Sequence, residues 1–190
     1  LVAPVAMKNR FLELIEREIL LHTDERPGHI IAKMNQLEDR SMTEALYTAA
    51  RKGVRVDLII RGFCCLRPGL EGLSENIRVV SLIGRFLEHS RIYWFSGGCE
   101  DPLDGDFYIG SADWMYRNLH ARIEAITPVE GRRQRERLWQ ILRMSLEDQV
   151  QAWEMKSDGL YSKRSLDADL DPSDPLLLGI HQRLMNDALG

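Results

Sequence analysis

Two residues apart in the run Phe86-Leu87-Glu88-His89-Ser90-Arg91-Ile92-Tyr93-Trp94-Phe95 stand a histidine and an arginine, His89 and Arg91. A titratable imidazole beside a permanent cation suits phosphate chemistry. The imidazole can attack phosphorus or move a proton, and the planar guanidinium can bond two oxygens at once. The apolar half of the run predicts a buried strand over 85–95. Alternation along it would put His89, Arg91, Tyr93 and Phe95 on one face and Glu88, Ser90, Ile92 and Trp94 on the other. Alone, the pair is equally compatible with a histidine satisfied in a core and an arginine in an ordinary salt bridge. His22, His29, His120 and His181 read as exposed or capping residues. With a single strong histidine, the chain resembles half of a two-histidine site.

Other cationic and donor groups fall where such a site needs them. The elements that must carry them follow from periodicity. Phe11, Leu14, Ile15 and Ile19 recur at helical spacing and predict a helix over 7–22. A strand over 29–35, a helix over 41–52 and a strand over 54–60 form a β-α-β unit, which implies parallel pairing. Ser41 with Glu44 three residues on reads as a capping box, and Gly53 as the stop. Further strands are predicted over 77–82, 106–111 and 120–128, with a tight turn or short helix over 112–118. A long helix is predicted over 132–155, its buried stripe being Leu138, Ile141, Leu142, Leu146, Val150 and Trp153. In an open α/β sheet, ligands bind beyond the carboxyl ends of the strands. Lys33 and Asn35 end the first strand of the unit, Arg61 the second and Ser111 the strand over 106–111, while Arg67 lies in the Gly/Pro-rich loop after Arg61. With His89 and Arg91 these make a candidate cationic, donor-rich pocket.

Composition bounds the alternatives. The chain has 190 residues, 44% of them hydrophobic and 28% charged, the balance of one globular domain with an appendage. A net charge of −4 argues against a dedicated nucleic-acid binder. No apolar run approaches the roughly 20 residues needed to span a bilayer. Three cysteines, Cys64, Cys65 and Cys99, argue against a disulfide framework and fit a reducing cytoplasm. No zinc spacing, Walker loop, Gly-x-Ser-x-Gly elbow or kinase catalytic loop is present. The acidic run Leu166–Pro175 lacks the glycine and terminal glutamate of a calcium loop and reads as a solvated linker before a short helix over about 176–188. A chain that starts at Leu1 is expected to be a piece of a longer protein. The expected division is a first unit over 1–156 and an appendage over 157–190.

Five runs in order carry a family resemblance: Ile31–Asn35, Leu58–Gly69, Leu73–Val79, Gly84–Arg91 and Gly110–Leu119. Together they resemble the C-terminal domain of histidine-dependent polyphosphate kinase over about residues 5 to 155. The resemblance implies an α/β fold of phospholipase D type, a mixed sheet flanked by helices, with a C-terminal helical appendage. It implies an ATP:polyphosphate phosphotransferase that moves the terminal phosphate of ATP onto inorganic polyphosphate reversibly. The phosphohistidine would form on the preceding domain of the same chain, in an Ile-His-Ala-Lys motif absent here. His89 would contact nucleotide phosphate and act as acid/base partner, and Arg61 would bind nucleotide phosphate. Lys33, Asn35, Arg67, Arg91 and Ser111 are additions from strand geometry. Magnesium is implied for the whole enzyme, with no evident ligand in this chain, and so are ATP/ADP and polyphosphate as partners and a homo-oligomer at full length. A cytoplasmic location, or one peripheral to the inner membrane, follows from the same likeness. The general phospholipase D motif, His-x-Lys-x4-Asp, is broken: Arg91 stands at the lysine position and Ser96 at the aspartate position. That departure weighs against a dimeric phosphodiesterase; a third reading, a non-enzymatic polyanion-binding module, predicts that His89→Ala leaves polyphosphate binding almost unchanged.

Overall fold

The structure, a computed structural model, describes residues 1–165 and 177–189. The order of elements is β1 (Val2–Ala3), α1 (Met7–Leu21), β2 (His29–Met34), α2 (Arg40–Arg51), β3 (Arg55–Ile60), β4 (Ile77–Leu82), β5 (Ile92–Phe95), β6 (Asp106–Gly110), α3 (Tyr116–His120), β7 (Glu124–Val129), α4 (Arg132–Glu147), β8 (Ala152–Met155), β9 (Tyr161–Lys163) and α5 (Ile180–Leu189). The strands form one sheet in the order β1-β7-β6-β5-β2-β3-β4-β8-β9. The three central strands, β2, β3 and β4, are parallel, and the flanking pairs are antiparallel.

Period-two alternation sorts the sheet's side chains into two cores. Ile30, Ala32 and Met34 of β2, with Val56, Leu58 and Ile60 of β3, pack under α1 and α2 against Phe11, Leu14, Met42 and Leu46. Ile31, Ile59, Val80 and Leu82 face the other way, toward Leu142 of α4 and Ile180 of α5. The central strands are buried on both faces, which explains their unbroken apolar runs. Phe11 is fully buried, with its ring 4.8 Å from Tyr93 and 5.3 Å from Trp114. Truncating such a side chain to alanine removes about 3–5 kcal/mol.

The expected β-α-β unit and the mixed sheet are present, and several expected boundaries move. Residues 85–91 are not strand: β5 holds only Ile92–Phe95. Lys33 pairs with Ile92, so Arg91 would fall opposite Met34, the last residue of β2, and residues before it would have to pair where β2 has ended and offers no partner. Within β5 the alternation holds, Tyr93 and Phe95 entering one core and Ile92 and Trp94 the other. The N-cap of α2 is Asp39, not Ser41; its carboxylate accepts the Met42 N–H at 3.0 Å, and Glu44 instead pairs with Arg40. Gly53, at φ +93°, stops the helix as expected.

Helix α4 ends at Glu147 instead of running to 155. Asp148 accepts the backbone N–H groups of Val150, Gln151 and Ala152 and turns the chain into β8, so Val150 and Trp153 leave the helical stripe. The short helix after Ser111 begins at Tyr116, and the following strand starts at Glu124, leaving His120 at the helix end. Strands β1, β8 and β9 are additions that periodicity does not reveal, each being two to four residues long. The linker expected over Leu166–Pro175 lies outside the described residues. The terminal helix is present as α5.

At the amino ends of the parallel strands, Asp57 is buried among the His29 ring and the Arg55 and Arg78 guanidiniums, at 2.8, 2.9 and 2.8 Å. Burial pushes its carboxyl upward, but these three partners outweigh it and hold the pKa down at about 2. A depressed carboxyl stabilises the fold above its unfolded pKa, and that stability is lost as pH falls through the folded value. Asp57→Asn should therefore cost roughly 2 kcal/mol at neutral pH and flatten the fall in stability between about pH 4 and 2. Urea midpoints across that range check it, and parallel curves for the two proteins would contradict it.

Candidate functional site

The carboxyl ends of β2 and β3 meet the segment 88–91 that leads into β5, and the expected cationic residues collect there. Lys33 is almost fully buried. Its ammonium donates to the Ser90 hydroxyl at 3.0 Å and to the Ser90 carbonyl, and it forms an ion pair with Glu88. Arg61 donates from Nη1 to the Glu88 carbonyl at 2.8 Å, while its own carbonyl accepts from the Ser81 hydroxyl. Segment 88–91 lacks strand pairing, so these side-chain bonds from the strand ends hold it instead. Burial, with the charges of Arg61 and Arg91, lowers the Lys33 pKa to about 7, against the pull of Glu88 in the other direction.

A second chain of bonds runs through the histidine. Arg91 donates from Nε to Asp113 at 3.0 Å and from Nη2 to its other oxygen, a forked pair. Its Nη1 lies 2.9 Å from His89 Nδ1 and 3.0 Å from the His89 carbonyl. Arginine has only donors, so Nδ1 must accept. The ring proton then sits on Nε2, leaving that nitrogen for a ligand. Asp113 is buried and also accepts the Asn35 backbone N–H at 2.8 Å and the Asn35 side-chain amide at 3.2 Å. The Asp113 N–H donates to Asn118, whose amide donates to Glu124, which pairs with the Ser111 hydroxyl.

Of the residues expected at the site, His89, Arg91, Lys33, Asn35 and Arg61 come together, and Ser111 joins through three intermediaries. Arg67 does not: its guanidinium is bound to the Ser157 carbonyl. The β4–β8 register pairs Leu82 with Ala152 and Val80 with Glu154, so Ser157 lies toward the opposite, amino end of the parallel strands. Sequence reasoning missed Glu88, Ser90, Asp113, Asn118 and Glu124. Glu88 and Ser90 were assigned to the far face of a strand that does not exist. Asp113 carried a signal, an acid set between Ala112 and Trp114 directly after a buried strand.

Three of the other histidines are accounted for structurally. His22 accepts the Gly28 N–H, His29 pairs with Asp57, and His120 joins Asp39 beside Lys8. The three cysteines are free, and burial raises the Cys64 thiol to about 12, where it is inert. Among the described residues no group of three or more His, Cys, Asp or Glu side chains could hold a metal ion, and the two carboxylates nearest the site, Glu88 and Asp113, are each paired with a cation, Lys33 and Arg91. Among them, too, no helix is long and apolar enough to cross a membrane.

Three cations here, Lys33, Arg61 and Arg91, face two carboxylates, Glu88 and Asp113, which leaves a surplus of positive charge for an anion. Lys33 attracts phosphate only as ammonium. Its contribution should be fullest below about pH 7 and fade as the pH rises through that value. Binding of inorganic tripolyphosphate to the 190-residue chain should weaken on going from about pH 6 to 8, and Lys33→Met should flatten that dependence. Equal pH slopes in the two proteins would remove Lys33 from the anion site.

Comparison with known proteins shows the family and the fold. The family model described as polyphosphate kinase C-terminal domain 2 matches residues 1–172. The chain is 52% identical over 164 residues to the polyphosphate kinase of Synechocystis, covering 86% of this chain and 22% of that one. It is 47% identical over 170 residues to that of Pseudomonas aeruginosa, covering 90% and 24%. It thus spans about a quarter of the length of these curated relatives. The crystal structure of polyphosphate kinase from Porphyromonas gingivalis superposes with a TM-score of 0.86 at 37% identity, over 98% of this chain and 28% of that one. A phospholipase D family member, Nuc from Salmonella typhimurium, superposes with a TM-score of 0.55 at 13% identity, over 82% and 95%, a likeness of fold alone. The chain belongs to the polyphosphate kinase family, as its second C-terminal domain, and has a phospholipase D-like fold.

Proposed function

We propose that this chain is one catalytic half of an ATP:polyphosphate phosphotransferase and that its site grips the phosphates exchanged between ATP and inorganic polyphosphate. The observation that carries the reading is the convergence of Arg61, Lys33 and Arg91 on segment 88–91, with His89 Nε2 left free by the Arg91–Nδ1 contact. In phosphoryl transfer the protein contributes mainly position and charge, since the transition state spreads negative charge over the equatorial oxygens. Arg61 and Arg91 supply that charge. His89 supplies a proton site at an attacking or leaving oxygen.

The nucleophile belongs to the preceding domain of the full-length protein. There an imidazole nitrogen attacks the γ-phosphorus of ATP, a P–N bond forms, the β,γ-bridging P–O bond breaks and ADP leaves. The terminal oxygen of polyphosphate then attacks the same phosphorus, and the P–N bond breaks. Lys33 and Asn35 act mainly by holding segment 88–91 and Asp113, and Ser111 closes the outer end of that chain. Magnesium is proposed only for the whole enzyme, bound outside this chain, and no step here runs through it. The whole enzyme is proposed to be a cytoplasmic homo-oligomer, without nucleic acid as partner.

Two outcomes follow. The 190-residue chain alone should not extend polyphosphate from ATP, because it carries no phosphorylated histidine; radiolabelled ATP assays check this, and chain growth by the piece would refute it. In the full-length protein, His89→Ala and Arg61→Ala should each lower turnover on the order of 10²-fold. Near-normal rates in either variant would remove that residue from the mechanism.

A further inference from the structure

Helix α5 lies past residue 172, where the family match ends, and it packs on the segment that leads to His89. His181, in its first turn, is 3% exposed, and its Nδ1 accepts the Phe86 backbone N–H at 3.2 Å. The Phe86 ring lies 5.5 Å from the imidazole. Gln151, from the turn after α4, accepts the His181 N–H through Oε1 at 3.2 Å and places its amide nitrogen 3.4 Å from His181 Nδ1. Asp148, which turns the chain into β8, also accepts the Ile180 N–H and so fixes the start of α5. Farther along, Asp187 takes Arg137 at 2.9 Å and Gln140 at 3.2 Å, binding α5 to α4.

The fit between α5 and this segment is tight at glycine positions. A Cβ at Gly84 would overlap Gln151 Nε2 and stand 2.7 Å from His181 Nδ1. At Gly179 it would meet Gln151 Cδ at 2.7 Å. Neither glycine has positive φ, so a side chain there would meet close approach, not backbone strain, and the Gln151 amide or the His181 ring would have to shift. From Phe86 the chain runs two residues to Glu88, whose carboxylate pairs with Lys33 and whose carbonyl takes Arg61, and then to His89. After Ile83, whose N–H donates to the Gln151 carbonyl at 3.2 Å, residues 84–87 are exposed and lie outside any strand.

We propose that His181 is a positioning residue for the phosphate site. Its acceptor nitrogen holds Phe86, and through it α5 fixes the segment that presents Glu88 and His89. This rests on the reading of His89 as a group that meets the transferred phosphate, and it adds a determinant from α5, past the residues that the family model matches though within the stretch that superposes on the Porphyromonas gingivalis polyphosphate kinase. The brace itself is independent of that reading, because it concerns only where residues 84–88 lie.

The test compares His181→Leu with His181→Asn, whose amide oxygen can stand where Nδ1 stands and keep the acceptor. Trypsin cleavage after Arg85 in the 190-residue chain reads the brace. Turnover with ATP and polyphosphate in the full-length protein reads its effect on the site. His181→Leu should speed cleavage about tenfold and lower kcat about tenfold, with KM for ATP changed less than about threefold, as expected for a displaced catalytic group. Gly84→Ala should do the same by wedging Gln151 and His181 apart. His181→Asn should restore most of both readouts. Unchanged cleavage in His181→Leu and Gly84→Ala overturns the brace. Faster cleavage with wild-type kcat, or equal losses in the Leu and Asn variants, overturns the positioning role. A silent His89→Ala would instead defeat the reading of the site and leave the cleavage result standing.

Discussion

Asp113 is the constraint on which the rest of the site depends. Its carboxylate is buried and receives four donors: the Asn35 backbone N–H, the Asn35 amide, and two nitrogens of Arg91. A buried carboxylate with fewer partners would be costly, and removing one member of such a pair typically loses 3–5 kcal/mol. The two residues that supply these donors come from different places: Asn35 follows β2 and Arg91 precedes β5, and these two strands are antiparallel neighbours. The carboxylate thus fixes the mouth between these strands where their own ladder has stopped. Arg91, once pinned, sets the tautomer and position of His89 through its remaining nitrogen.

The same logic explains why segment 88–91 is not a strand. A strand would bury its backbone donors in a ladder and aim His89 at one face by alternation. Freed from the ladder, residues 88–91 are instead held by side chains from the strand ends, with Lys33 on Glu88 and Ser90, and Arg61 on the Glu88 carbonyl. The cost is borne by ion pairing of Lys33, whose burial beside two guanidiniums already disfavours its charge. Such a cluster of like charges is an arrangement that a polyanion bound there, as proposed, would relieve.

The sequence made the central architecture legible because burial on both faces leaves long apolar runs. β2, β3 and β4 with α1 and α2 stand close to where periodicity puts them. Length was the weak point of the reading. The run 86–95 looks continuous, but half of it has no neighbour to pair with, a fact that lies in the register with β2 and not in the run itself. The stripe over 132–155 likewise continues its spacing across Asp148, where a buried cap ends the helix. Residue types pointed to His89, Arg91, Lys33, Asn35 and Arg61, which the structure brings together, whereas the carboxylates that hold them did not stand out among 29 acidic residues. Arg67 was misplaced because a loop that begins at one end of the sheet carries it to the other.

The most direct measurement is the ring 15N spectrum of His89 in the 190-residue chain and in Asp113→Ala. With Arg91 pinned, the neutral ring should hold its proton on Nε2, with Nδ1 as the unprotonated, hydrogen-bonded nitrogen. Without the Asp113 carboxylate, Arg91 should lose its aim and the two tautomers should mix. A mixed tautomer in the unaltered chain, or the same single tautomer in both proteins, would contradict the account.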